Sequence, residues 1–350
     1  MFKVRESYII FHCIFILMKK LLLILISVCF QTISFAQDVK QLHDNARDFM
    51  HKGDYPNAIL ILNRALAKQP NNLEVAKDLG LNYYYSKDYN KCIEVLKRLF
   101  DKNDVDDQVF QIAGDAYWAL EDAKGAEEMY RKGIKKLPNS GPLYNELGKV
   151  LWTKNDFTAI KEWEKGIEND PGFAGNYYNA SKYYYFTTDK VWSLLYGETF
   201  INIDPKSAYA PEIKNILLEG YKKLFADADL GKNNKDKSAF IIAYLKTMNK
   251  QSLLVTSGIN TQTLITLRTR FILEWDANYA TKFPYKLFQL HKQYIQEGLF
   301  DAYNYWVFAN EQNMPAYQSW IGTHAKEYAG LNRFLQDRIF KVPAGQYYHK

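Results

Sequence analysis

The sequence predicts an all-α protein in two parts, a solenoid of five stacked two-helix repeats followed by an aromatic-rich helical C-terminal region. Three observations lead there. Small residues recur every 34 positions, with Gly80, Gly114 and Gly148 one period apart and Ala46 and Ser181 at the equivalent places. Turn residues keep the same register in Gly53-Asp54-Tyr55, Lys87-Asp88-Tyr89, Glu121-Asp122-Ala123, Asn155-Asp156-Phe157 and Thr188-Asp189-Lys190, as do Pro70, Pro138, Pro171 and Pro205. Aromatics make up 16% of the 350 residues while Gly and Pro are sparse, a balance that favours packed helices over disorder or a turn-rich β fold.

Residues 1–36 are expected to stand outside that fold as a signal peptide. Met18-Lys19-Lys20 opens a basic segment, Leu21 to Phe30 is an apolar run of signal-peptide length, and Ser34-Phe35-Ala36 supplies the small residues of a cleavage site. Cleavage after Ala36 makes Gln37 the mature N-terminus and the location periplasmic or cell-envelope associated. A second apolar run, Tyr8 to Leu17, precedes Met18, so residues 1–17 read as an over-extended start. Two other readings stay open. One is an uncleaved anchor, although neither run reaches the ~20 apolar residues a spanning helix needs. The other is a lipoprotein signal at Cys29, whose preceding Val28 fits poorly.

Loss of the leader simplifies the rest. Cys13 and Cys29 depart, leaving Cys92 as the one mature cysteine and no internal disulfide. Lys3, Arg5, Lys19, Lys20 and Glu6 depart too, so the formal charge falls from +6 to +3. That balance implies no nucleic acid partner.

The repeat units are 39–72, 73–106, 107–140, 141–173 and 174–207, the fourth being one residue short after Phe157. Each conserved place has a physical use. The small residue on the first helix, with Ala58, Cys92, Ala126, Ala159 or Ser193 on the second, lets the two helices approach closely. An aromatic after the turn aspartate plugs the hairpin end, and proline halts the second helix. Segments such as Gly53-Asp54-Tyr55-Pro56-Asn57-Ala58-Ile59 with Ala65-Leu66 and Pro70 resemble the tetratricopeptide-repeat (TPR) family. Ala123 and Lys190 depart from it, standing where the family prefers an aromatic. The resemblance covers about half of the mature chain and implies a right-handed superhelical solenoid. The whole arrangement resembles repeat proteins exported by Bacteroidetes-type bacteria.

Residues 208–225 read as a capping helix, since Ile213, Leu217, Leu218, Tyr221 and Leu224 follow helical spacing while Glu212, Lys214, Lys222 and Lys223 face water. The polar run 226–237 reads as a linker. The region 238–350 has no function legible in it; helices are expected near 238–249, 261–281, 284–297, 300–311 and 315–340, with Gly298-Leu299-Phe300 as the turn of a decayed repeat hairpin. Its aromatics (Tyr294, Tyr303, Tyr305, Trp306, Tyr317, Trp320 and Tyr328) are either core or a stacking surface for sugar rings or a peptide.

The TPR resemblance implies a concave groove, lined by the first helices, for an extended peptide or partner protein. Transferred by position, its residues are Tyr84, Trp118, Trp152 and Tyr185, one per repeat, flanked by Asn145, Lys149, Tyr178 and Lys182. Aromatic rings beside amide and ammonium groups suit a peptide backbone with an occasional carboxylate. No catalytic, cofactor or metal constellation is legible. The mature histidines lack zinc-ligand spacing, no Gly-x-Ser-x-Gly elbow or phosphate loop is present, and Glu274 and Asp276 at i, i+2 diverge on a helix. The expected function is therefore a non-enzymatic scaffold or adaptor in the cell envelope. The alternative is a glycan- or peptidoglycan-binding module using the C-terminal aromatics, with cell-wall or outer-membrane association.

Overall fold

The computed structural model describes residues 38–227, 229–309 and 312–349, and the leader read over 1–36 lies outside them. The chain divides into two compact units, one ending at Met129 and the other beginning at Tyr130. Every regular element among the described residues is helical, and none of the helices is long and apolar enough to cross a membrane.

The first unit contains α1 (38–51), α2 (Tyr55–Lys68), α3 (Leu73–Tyr85), α4 (Tyr89–Lys97), α5 (Asp107–Ala119) and the start of α6 (Ala123–Lys136). α2 packs on α3, α3 on α4 and α4 on α5, and α3 also touches α5, the first helix of the next hairpin. Val39, Ala46, Leu62, Ala65, Val75 and Leu79 form its first core cluster. Between the first helices of successive hairpins, the Asp78 carboxylate receives His43 Nε2 at 2.7 Å and Arg47 Nε at 2.9 Å.

One turn design recurs. Gly53, Lys87, Glu121 and Asn155, each 34 residues from the next, have φ of 73°, 61°, 62° and 58°. In each case the following aspartate donates its N–H to the carbonyl five residues back, at 2.9–3.0 Å. That bond is the 6→1 closure of a Schellman motif, which needs a left-handed residue to end the helix. The same aspartates then start the second helix. Asp54, Asp88 and Asp122 accept the N–H three residues on, and Asp156 the one two residues on. One side chain thus serves two helix ends. Ala123 leaves this geometry intact because the aspartate, not the aromatic, makes the turn.

Close approach fixes the hairpin. Ala58, Cys92, Ala126, Ala159 and Ser193 are fully buried. A Cβ at Gly80 would collide with Leu96 of α4, and one at Gly148 with the Trp163 indole. In the fifth hairpin Ser181 and Ser193 instead exchange hydrogen bonds, each hydroxyl donating to the other's carbonyl at 2.8 and 3.0 Å. The same small-residue place therefore serves by a different contact.

The second unit holds the rest of α6, then α7 (Gly141–Thr153), α8 (Ala159–Asn169), α9 (Ala174–Tyr185), α10 (Lys190–Ile203) and α11 (Ala210–Leu224). Beyond them come α12 (Ala239–Asn249), a 3-10 turn (Ser252–Val255), α13 (Thr261–Asn278), α14 (Lys286–Gln296), α15 (Phe300–Asn304), a π-helical turn (Tyr305–Ala309), α16 (Met314–Thr323) and α17 (Ala325–Asp337). α11 packs on both α9 and α10. The fifth turn breaks the pattern, for Asp189 makes no side-chain cap to its own helix. Its carboxylate takes the backbone N–H groups of Lys235 and, at 3.1 Å, Asp236, while Trp192 Nε1 donates to Asp236 at 2.8 Å. Lys235 and Asp236, at the end of the polar run, are therefore pinned to the last hairpin.

Two details differ from the sequence reading. The helix expected over 315–340 is broken at His324, whose φ and ψ of −123° and 39° are not helical. The run Ser319 to Thr323 contains glycine and β-branched residues of low helix propensity, and the Thr323 hydroxyl turns back onto the Trp320 carbonyl. The helix expected over 300–311 tightens into α15 and widens into the π turn. Between α14 and α15, Gly298 adopts φ 70° and Leu299 N–H returns to the Tyr294 carbonyl at 2.8 Å, the same closure that the repeats use. The chain then runs back over the hairpins. Tyr348 stacks on Phe240 at 4.7 Å, and His349 meets Glu164 and Tyr184, each at 3.0 Å.

Gly148→Ala should lower stability by about 1–3 kcal/mol, because the added methyl overlaps an indole held in place by its own hydrogen bond. Glu121→Gly should raise it by up to about 1 kcal/mol, since glycine relieves left-handed strain at an exposed turn. Urea denaturation followed by circular dichroism measures both; a neutral Gly148→Ala would contradict the close-approach account.

Candidate functional site

The first-helix residues singled out by position fall into both units, and each is described within its own. In the first unit, Tyr84 lies among Tyr85 and Tyr89, with ring centroids 5.7 and 5.6 Å away. Trp118 is 40% exposed. Their carbonyls receive the N–H groups of the left-handed residues Lys87 and Glu121, at 2.9 Å each. Trp152, in the second unit, has the same backbone bond from Asn155 and the same 40% exposure.

Around Trp152 the second unit builds an aromatic edge. Phe157, Trp163 and Tyr183 approach its ring at 5.7, 6.1 and 5.8 Å. Its neighbour on α9 is Tyr183. Tyr185 lies elsewhere, with the Lys223 ammonium 3.6 Å above its ring and Lys190 Nζ on its carbonyl.

The polar members form a ladder with a spacing of one repeat. Asn145 Oδ1 accepts from Asn179 at 2.7 Å, and the Asn145 carbonyl accepts from Trp163 Nε1 at 3.2 Å. Lys149 pairs with Glu146 at 2.6 Å. Tyr178 donates to Glu212 at 2.5 Å, and Lys182 reaches both Glu212 (2.7 Å) and the Tyr178 hydroxyl (3.0 Å). Partial burial would raise the Glu212 carboxyl, but hydrogen bonds from Lys182 and Tyr178 hold it below the ordinary value. The same carboxylate overcomes desolvation at Lys182 and keeps that ammonium raised. Glu212 escaped the position-by-position reading because it stands on α11, outside the five repeats. Its signal was present, since 212 is one period beyond 178.

The sequence also concealed a buried ionic cluster. Glu198 of α10 accepts from Arg268 of α13, from His291 of α14 at 2.9 Å and from Tyr303 of α15 at 2.9 Å. Arg268 continues to Asn304, and Asn202 joins Tyr303 to Arg338. Side chains of Glu198, Arg268 and His291 are 3–4% exposed. Burial pushes the Glu198 carboxyl up, yet Arg268 and His291 outweigh it and hold it near 2. Burial keeps His291 below its ordinary value despite Glu198. Glu198 is the lone charge in the run Val191 to Ile203, which is the pattern of an acid with a buried partner.

Elsewhere reactive groups are sequestered. Cys92 is fully buried, with desolvation pushing its thiol up to about 12, so it carries no thiolate. Glu274 and Asp276 diverge to Lys250 and Lys292. Among the described residues no His, Cys, Asp or Glu group has metal-holding geometry. The C-terminal aromatics largely face each other: Tyr294 stacks on Tyr303 at 4.6 Å, and Trp320 is sandwiched by Tyr305 and His324 at 4.3 and 4.5 Å.

Residues 51–133 match the model of the family described as anaphase-promoting complex, cyclosome, subunit 3. Solved structures similar to this chain include one of MamA, at 24% identity over 46% of this chain and 95% of that one, with a TM-score of 0.39. Others are a thermophilic TPR protein of Thermus thermophilus (14%, 52% and 98%, TM-score 0.40) and YrrB, a TPR protein with an unusual peptide-binding site (17%, 52% and 97%, TM-score 0.37). Among curated proteins, none matches the sequence.

Arg268→Met should cost about 3–5 kcal/mol at neutral pH, because it leaves Glu198 buried without its cation. The carboxyl is depressed in the fold, so its contribution is complete above the ordinary value of 4.5 and disappears as pH falls towards about 2. The deficit of the variant, measured by denaturation at successive pH values, should narrow over that window; a constant deficit would detach the effect from Glu198.

Proposed function

We propose that this protein is a non-enzymatic interaction scaffold, exported to the cell envelope, that holds an extended peptide or partner protein along the first-helix face of its repeats. The observation that carries this reading is the pair Trp118 and Trp152. They occupy one repeat place, close the same turn through their carbonyls, and are equally exposed at 40%. Beyond the packing that Trp152 makes with Phe157, Trp163 and Tyr183, the open part of each indole is apolar surface for a partner to bury.

The ladder supports the same reading. Asn145 is bonded to Asn179, and Tyr178, Lys182 and Glu212 are bonded to one another, before any ligand arrives, so little side-chain entropy remains to be lost on association. A scaffold role also agrees with the buried state of Cys92 and of the Glu198 cluster, which substrates in solvent cannot reach. Export rests on the leader pattern of Met18 to Ala36.

Crosslinking in the native cell followed by capture of the full chain tests the proposal. Trp118→Ala and Trp152→Ala should each weaken capture of one reproducible partner by about tenfold or more while leaving helicity unchanged. Undiminished capture by both folded variants would remove the first-helix face as the binding surface. N-terminal sequencing of the purified protein should begin at Gln37; a start at Met1 would refute cleavage.

A further inference from the structure

A cavity of about 640 Å³ opens between α14, α17 and the segment 338–340, away from the first-helix face. Its size falls within the ~300–1,000 Å³ typical of small-molecule sites. Part of its wall is apolar, from Leu290, Leu299, Phe334 and Phe340, and the remainder is strongly asymmetric in charge. Among the described residues, Lys286, Arg333 and Arg338 line it with Glu297 as the sole acid, and that carboxylate accepts from Gln293 at 2.7 Å. Among the described residues, none of the three cations has a carboxylate partner within ion-pair distance.

Arg338 is the least compensated. Its Nη2 donates to Asn202 at 3.0 Å, while Nε and Nη1 are buried without a well-formed hydrogen bond, the neutral Tyr294 hydroxyl standing nearby. The rings of Phe334 and Phe340 hold the guanidinium at 5.2 and 5.1 Å. The carboxylate closest along its hydrogen-bond chain, Glu198, is already engaged by Arg268 and His291. A cation fixed in a low-dielectric wall without a counter-charge is expensive, and an anion in the adjoining space relieves it. Asn202, itself bonded to Tyr303, keeps the guanidinium from swinging out to water.

We propose that this cavity is a binding site for a small organic carboxylate carrying an apolar chain. The carboxylate lies towards Lys286, Arg333 and Arg338, and the chain packs against the leucine and phenylalanine wall. An arginine set in place by packing, as Arg338 is, suits a planar carboxylate better than a mobile ammonium does.

Octanoate is the probe, with 1-octanol as its uncharged counterpart, titrated into the full chain by calorimetry. Octanoate should bind saturably at one site, with 1-octanol weaker by about tenfold or more. Arg333→Gln and Lys286→Gln, neither of them a member of the Glu198 cluster, should each weaken octanoate severalfold. Glu297→Gln should tighten it, an effect no general loss of structure can produce. Equal affinity for octanol and octanoate, an octanoate affinity indifferent to all three charge changes in folded variants, or no saturable binding of octanoate at millimolar concentration would each overturn the proposal.

Discussion

Each hairpin depends on how closely its two helices can approach. Where Gly80 or Gly148 stands, a leucine or tryptophan side chain from the second helix occupies the volume of the missing Cβ. That contact sets the interaxial distance, and the four Schellman-closed turns hold the helix ends at a matching separation. Packing and turn geometry are therefore two expressions of one constraint. A hairpin with the wrong separation could not place its aspartate to end one helix and start the next.

From that spacing follows the contact rule between neighbouring first helices. A residue meets the one about a period later, as Asn145 meets Asn179 and Tyr178 meets Glu212, both 34 positions apart. α11 thus serves as the first helix of a further unit, contributing an acid to the face that α9 presents. On that face Glu212 satisfies both Lys182 and Tyr178.

The periodic features were the legible ones. The all-helical class, the turn triplets and the small-residue places each repeat, so a single misreading could not disguise them. Non-periodic features were not legible. Glu198, Arg268, His291 and Tyr303 are drawn together from four helices by tertiary packing, and their spacings of 70, 23 and 12 residues carry no pattern. The aromatic edge shows both regimes at once. Trp152 could be placed by its period, whereas its pairing with Tyr183 instead of Tyr185 depends on helix rotation in the irregular fifth hairpin. The break at His324 was masked because Gly322 and Thr323 weaken a helix without forbidding it.

Asp189 is the one turn aspartate that bonds forward, to the backbone of Lys235 and Asp236, instead of capping its own helix. This has a consequence for how such a chain can change in length during evolution. Duplication of a module among the second to fourth hairpins carries its turn bonds along intact, because their donor and acceptor travel together. A module inserted after the fifth hairpin would part Asp189 from its loop and uncouple Trp192 from Asp236. An insertion at that one place is therefore disfavoured, and the fifth hairpin is tied to the residues that lead into the C-terminal helices.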